Sequence, residues 1–247
     1  MKKIIFILLT VFCFSLNAQY YTMTYVSVAS EDIADFEEKE MKYWSEVASN
    51  NIKKGKQLGW ALLRKYGTAG NNDVNYAFVN QYSSIEDMTN GNSIWGESVE
   101  ELGYDWNEIS TKYAVWEHHI YKVQDFVPGI GKVFILNYGR PENLSGFISE
   151  NKNLWKPFHQ QNITSGATGM TTWGIGTKIY PSGQDMATVM TWDGFANLTD
   201  ALKVLDFDDY VPPSNSKMGL YDPDGFRLRV IWQELKSVPP PPPKPTN

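Results

Sequence analysis

Three histidines and one cysteine are all the imidazole and thiol that this chain of 247 residues carries. Two of the histidines are adjacent, in Val115-Trp-Glu-His-His-Ile-Tyr-Lys-Val123. On a strand, successive side chains point to opposite faces, so only one of them can share a face with Glu117. Alternation groups Val115, Glu117, His119, Tyr121 and Val123 against Trp116, His118, Ile120 and Lys122. Both sets mix polar and apolar residues, and periodicity does not say which turns inward. A Glu117–His119 pair would make an acid–base couple, with the carboxylate orienting the ring. A strand-surface pair without chemistry is the plainer expectation. The third histidine, His159, stands one helical turn after Trp155 and beside Phe158, where a partly exposed helix histidine is expected. No His or acid stands at ligand spacing with a third partner, so no metal site is expected.

Two further positions stand out because they are polar inside apolar stripes. Ile33, Phe36, Trp44 and Val47 surround Glu40 at helical spacing, and Leu144, Phe147, Trp155 and Phe158 surround Asn151. A polar group facing a core needs a partner, or it costs a few kcal/mol. Glu40 is therefore either a satisfied buried group or a carboxylate looking into a cavity with a raised pKa. The second case gives a candidate ligand-binding set of Glu40, Trp44, Trp60, Asn151, Trp155 and Trp173.

These positions are related by an internal repeat. Shifting the chain by 111 residues sets Trp44 on Trp155, Asn51-Ile52 on Asn162-Ile163 and Gly55 on Gly166. A two-residue insertion then sets Trp60 on Trp173 and Ser84-Ile-Glu-Asp-Met88 on Asn197-Leu-Thr-Asp-Ala201. A repeat this long is domain-sized. Each copy opens with an aromatic and β-branched strand, at 21–28 and 132–138. Helices follow from Ser30 and Pro141, each closed by a glycine suited to a left-handed cap, Gly55 or Gly166. Strands are expected at 58–66 and 74–82, and at 171–180 and 186–192. A weaker helix near Ile85 or Leu198 precedes the closing strands, 113–123 and 226–235. Trp60 and Trp173 open the second strand of each copy, where their expected job is packing.

The order β-α-β-β-α-β, twice, describes an α+β fold of two tandem ferredoxin-like units. Each sheet has a bare apolar face, and two units in one chain can cover each other, sheet to sheet, as an intrachain α+β barrel. In this element order and duplication the chain resembles the dimeric α+β barrel superfamily in fused form. That superfamily includes antibiotic-biosynthesis monooxygenase-like, EthD-like and NIPSNAP-like families, and the resemblance spans roughly residues 20–236. It implies a cofactor-free or haem-using oxidative enzyme or isomerase as one reading of the function. In fused relatives that hold haem, a helix histidine ligates the iron. Here Pro157 adjoins His159 and the first-copy counterpart is Ala48, so the expected cofactor is none. The tandem glyoxalase-like fold, suggested by the turn Asp222-Pro-Asp-Gly225, fits poorly because its metal needs strand His and Glu ligands.

The two ends bound the remaining possibilities. Lys2-Lys3, the apolar run from Ile4 to about Leu16, and Ala18 before Gln19 read as a signal peptide of residues 1–18. Export to the periplasm or beyond is expected, and the signal would carry away Cys13, leaving no disulfide framework. The first copy is then 19–124, a linker 125–131, the second copy 132–236, and a proline-rich disordered tail 237–247. A net charge of −6, made more acidic by loss of Lys2 and Lys3, speaks against nucleic acid as a partner. The signal's apolar run is too short to insert as a membrane span, and no feature fixes the oligomeric state. Aromatic residues make up 14% of the chain, nine of them Trp, which suits a large aromatic core or a flat ligand. The expected role is an exported protein binding a small apolar or aromatic molecule between sheet and helices. The alternatives are the enzyme and a structural or interaction module.

Overall fold

This computed structural model describes residues 20–68, 73–206 and 211–239. The chain runs β1 Tyr20–Ser27, α1 Ile33–Lys39, a π-helical turn Glu40–Trp44, α2 Ser45–Lys53, β2 Gly59–Lys65 and β3 Tyr76–Tyr82. There follow α3 Ile85–Thr89, α4 Gly91–Leu102, α5 Trp106–Ile109 and β4 Ala114–Val127. The second half repeats the order with β5 Val133–Gly139, α6 Leu144–Glu150, a π-helical turn Asn151–Trp155 and α7 Lys156–Ser165. It continues with β6 Met170–Tyr180, β7 Val189–Phe195, α8 Leu198–Asp206, α9 Met218–Tyr221 and β8 Leu228–Val238.

All eight strands close into one antiparallel barrel in the order β1-β3-β2-β8-β5-β7-β6-β4. In place of two separate sheets packed face to face, the strands form one continuous sheet, joined edge to edge also through β2–β8 and β4–β6. Closure removes the free edges that two separate sheets would expose. Strand alternation then divides the apolar residues into layers. Tyr21, Met23, Tyr25, Tyr121, Leu136, Met190 and Trp232 fill the interior. The outward face packs under helices, around Ile135, Phe147, Trp173 and Ile175 in the second half and Phe36, Trp60, Leu62 and Tyr76 in the first. Gly174 makes room for one interior ring: a Cβ there would lie 1.9 Å from the Trp192 indole.

The helix caps show why the chain turns where it does. Gly55 and Gly166 take φ of 72° and 70°, the left-handed conformation that glycine tolerates best. Ser30 and Pro141 do not open the helices as expected. Asp32 precedes α1, and Asn143 precedes α6 with its side-chain oxygen accepting from Gly146 N–H. β4 runs on to Val127, so residues 125–127 of the expected linker are strand. β8 likewise takes Ser237 and Val238 from the expected tail, because they pair with Ala61 and Trp60. The signal peptide lies outside the described residues, as does the tail from residue 240 on.

The two π-helical turns occupy equivalent places, Glu40 to Trp44 and Asn151 to Trp155, at the 111-residue shift. Pro157 follows only the second of them, so proline is not their common cause. Each wide turn brings its first residue, Glu40 or Asn151, into the core while the tryptophan that ends it stays half-buried.

Candidate functional site

The second half holds a cavity of about 350 Å³ between the outer face of its strands and its helices. Asn151, Trp155 and His159 come from the π-helical turn and α7, and Trp173 from β6. Asn137 on β5 and Thr191 and Asp193 on β7 form a polar floor. Strand register places Asn137 opposite Thr191, and alternation turns both, with Asp193, away from the barrel interior. The Asn137 amide donates to Thr191 Oγ1 at 3.0 Å and to Asp193 Oδ2 at 2.7 Å. Burial pushes the Asp193 carboxyl up to about 6, opposed by the Asn137 hydrogen bond and by the charge of Arg229. Around that pH the floor changes from hydrogen-bond donor to anionic acceptor.

His159 is not the partly exposed helix residue expected from sequence. It is buried, with its ring between Trp155 at 5.7 Å and 30° and Trp173 at 5.1 Å and 22°. Burial pushes its pKa down to about 3, and its buried Nδ1 has no hydrogen-bond partner among the described residues. It is therefore a neutral ring in an aromatic slot. Asn151 satisfies itself through Phe147 O at 2.8 Å.

A strap closes the far side. Glu150 accepts from Ser216 Oγ at 2.6 Å, from Lys217 N–H at 3.0 and 2.9 Å, and from the Trp155 indole at 3.1 Å. It thus ties the start of α9, whose Met218 and Gly219 line the cavity, to the indole that covers His159.

Of the candidate ligand set, Asn151, Trp155 and Trp173 meet on this cavity; Glu40, Trp44 and Trp60 do not. Glu40 is buried and accepts from Thr111 Oγ1 at 2.9 Å. Trp44 donates to Ile109 O at 3.0 Å and packs on Trp95 and Trp106. Trp60 is buried in the core under the first-half helices. Phe36, Tyr76, Phe78 and Tyr113 pack ring on ring in that half. The strand pair is also resolved: His119 and Tyr121 are buried while Glu117 stays exposed at the strand's outer part, with Glu117 Oε2 2.5 Å from His119 Nε2. The strand residues Asn137, Thr191 and Asp193 were not singled out from sequence. Their signal was present: in VMTWDGF polar Thr191 and Asp193 recur at period two, and in KVFILNY Asn137 interrupts an apolar run. Among the described residues no cluster of His, Cys, Asp and Glu could hold a metal ion.

No family profile matches the chain, and no curated protein is similar to it in sequence. Solved structures do share its fold. A monooxygenase-like protein from Lactobacillus acidophilus NCFM superposes with a TM-score of 0.53 at 11% identity, covering 88% of this chain and 93% of its own. An anthrone oxidase-like protein gives 0.52 at 12%, covering 90% and 93%. A haem-binding protein from Thermus thermophilus gives 0.50 at 11%, covering 89% and 92%. At such identities the likeness shows the fold alone.

Proposed function

We propose that the protein binds a small, largely apolar molecule with one polar end in the second-half cavity. The observation that carries this reading is the cavity itself: about 350 Å³, walled by Phe147, Trp155, Met170 and Trp173 and floored by the Asn137–Asp193 pair. Such a site, apolar with few convergent polar groups, is the usual form of an organic-ligand pocket. We read the two halves as tandem ferredoxin-like copies, of which the second keeps this space open.

Haem, which one neighbour of the same fold binds, does not fit these residues. A haem-ligating histidine normally holds its other ring nitrogen against a carboxylate or carbonyl, whereas His159 Nδ1 has no such partner among the described residues. Indoles stack on the His159 ring. The volume also lies near the low end of the roughly 300–1,000 Å³ of organic-ligand sites, too little for a macrocycle with two propionates.

Native mass spectrometry of protein purified under mild conditions tests the proposal. An adduct of small mass is expected in the wild type, and it should be lost in Asp193→Leu. An adduct kept in full by that variant would remove the floor from the site. Asp193 also favours a second reading, proton-transfer catalysis, because a carboxyl poised near 6 can accept and return a proton close to neutral pH. If the wild type converts the adduct to another molecule and Asp193→Asn does not, the protein is an enzyme.

Export belongs to the same proposal. Residues 1–18 are read as a cleaved signal, so protein recovered outside the cytoplasm should begin at or near Gln19. Sequencing that finds Met1 in that fraction would overturn it.

A further inference from the structure

The barrel interior carries a line of polar aromatic groups that the cavity does not use. Glu117, half-exposed on β4, lies 2.5 Å from His119 Nε2, and the other ring nitrogen, Nδ1, lies 3.1 Å from the Tyr121 hydroxyl. With Glu117 as a carboxylate, His119 Nε2–H must donate to it, so Nδ1 is left to accept from Tyr121 O–H. Tyr25 shares this interior, donating to Met23 Sδ at 3.5 Å and meeting the Tyr138 hydroxyl at 2.7 Å. The donors of Tyr121 and His119 thus both point toward Glu117. Such chains polarise one another in a dry interior.

The same ring is in electronic contact with its surroundings. Tyr121 stacks on Tyr21 at 4.9 Å and 9°, and Tyr21 meets the edge of Trp192 at 6.0 Å. Trp192 precedes Asp193 on β7, so this aromatic line ends directly behind the floor of the second-half cavity.

We propose that Tyr121 is a redox-active tyrosine, with His119 as its proton acceptor and Tyr21–Trp192 as its electronic connection to the second half. A buried phenol resists oxidation mainly because the cation left behind is a strong acid with nowhere to send its proton. Here the proton has a destination. When a high-potential one-electron oxidant takes an electron from Tyr121, directly or through Trp192 and Tyr21, the Oη–H bond breaks. The proton passes to His119 Nδ1, leaving a neutral phenoxyl radical and an imidazolium. The Glu117 carboxylate, until then facing a neutral ring, pairs with that imidazolium, so the proton transfer leaves an ion pair rather than an isolated cation. When the reduced form of that oxidant gives the electron back, the proton returns along the same bond. The barrel thereby holds one oxidising equivalent away from solvent, and the oxidant is the only co-reactant required.

Photochemical oxidation of the full chain by a flash-generated ruthenium(III) polypyridyl, followed by EPR and transient absorption, tests the assignment. A neutral tyrosyl radical is expected, with a yield several-fold lower in Tyr121→Phe. His119→Gln should slow its formation several-fold and change the solvent deuterium isotope effect, with Glu117→Gln between it and the wild type. Site-specific 3,5-difluorotyrosine at position 121 keeps the ring and should add fluorine splitting to the EPR signal, even if Tyr121→Phe fails to fold. A spectrum without that splitting, or a formation rate unaffected by His119→Gln, overturns the proposal.

Discussion

Trp173→Ala is expected to destabilise the protein by about 3–5 kcal/mol, the range for losing a buried indole in a core that cannot collapse around the gap. Trp173 is 2% exposed and sits at the centre of the second-half core with Ile135, Phe147 and Ile175. Its strand, β6, is hydrogen-bonded on both sides within a closed barrel, so the backbone cannot move in to fill the space. The substitution has a second readout. Trp173 covers one face of His159, whose pKa burial holds near 3. Opening that face to water should move the histidine back toward its ordinary value of about 6.5. The sign follows from linkage. A depressed histidine contributes stability that is complete above pH 6.5 and is lost as pH falls from there toward about 3. Trp173→Ala should therefore be less stable at neutral pH yet lose less on further acidification. Urea midpoints at pH 7 and pH 5, with NMR titration of His159, measure both effects. A loss below about 1 kcal/mol would mean that the residue is not the core element described.

The repeat made the architecture readable because duplication leaves a trace that single propensities do not. Trp44 and Trp155 end the two π-helical turns, as the 111-residue shift implied, and Gly55 and Gly166 cap at the same point with the same backbone sign. Barrel closure was less visible, since edge pairing such as Trp60 with Val238 depends on strands from opposite ends of the chain. No local pattern distinguishes a strand that pairs across a duplication from one that pairs within it. The turns themselves were hidden too, because a π-helical turn shifts the apolar stripe by one residue and the periodicity absorbs it.

The candidate site was half legible. Asn151, Trp155 and Trp173 were marked by the stripe and the repeat, but symmetry argued for their first-half partners equally. What separates the halves is a side-chain difference at equivalent places. Glu150 and Asn151 tie down a strap and a neighbouring carbonyl while leaving space. Their counterparts Lys39 and Glu40 draw in the segment before β4, through Ser110 O at 3.2 Å and Thr111 Oγ1 at 2.9 Å. Which of two such pairs leaves a cavity depends on rotamers and on loop length, neither of which the stripe encodes.

Glu40 gives the second large effect, and it appears as a dependence on pH. Its carboxyl is buried and pushed up to about 8, with only the Thr111 hydrogen bond opposing the cost of burial. At neutral pH the folded protein thus holds a proton that the unfolded chain, with an ordinary value of 4.5, has released. For an acid raised in this way, the associated stability is complete below about pH 4.5 and is lost as pH rises toward 8. Across that window the slope is about −1.4 kcal/mol per pH unit, levelling off above 8. Asp193, raised to about 6, has finished titrating by pH 7, and His159, lowered to about 3, no longer changes there. The difference between wild type and Glu40→Leu from pH 7 to 9 therefore reports on Glu40. Glu40→Leu exchanges a carboxyl and one hydrogen bond for apolar contact, which costs little at pH 5, where the native carboxyl is neutral. At pH 9, where the wild type must bury a charge or open the segment around Thr111, the leucine variant should be the more stable by about 2 kcal/mol or more. Guanidinium midpoints for the two proteins should therefore diverge as pH rises. Parallel curves from pH 5 to 9 would show that the carboxylate reaches water in the folded state. A leucine variant weaker at every pH would show instead that the Thr111 bond anchors this half of the barrel.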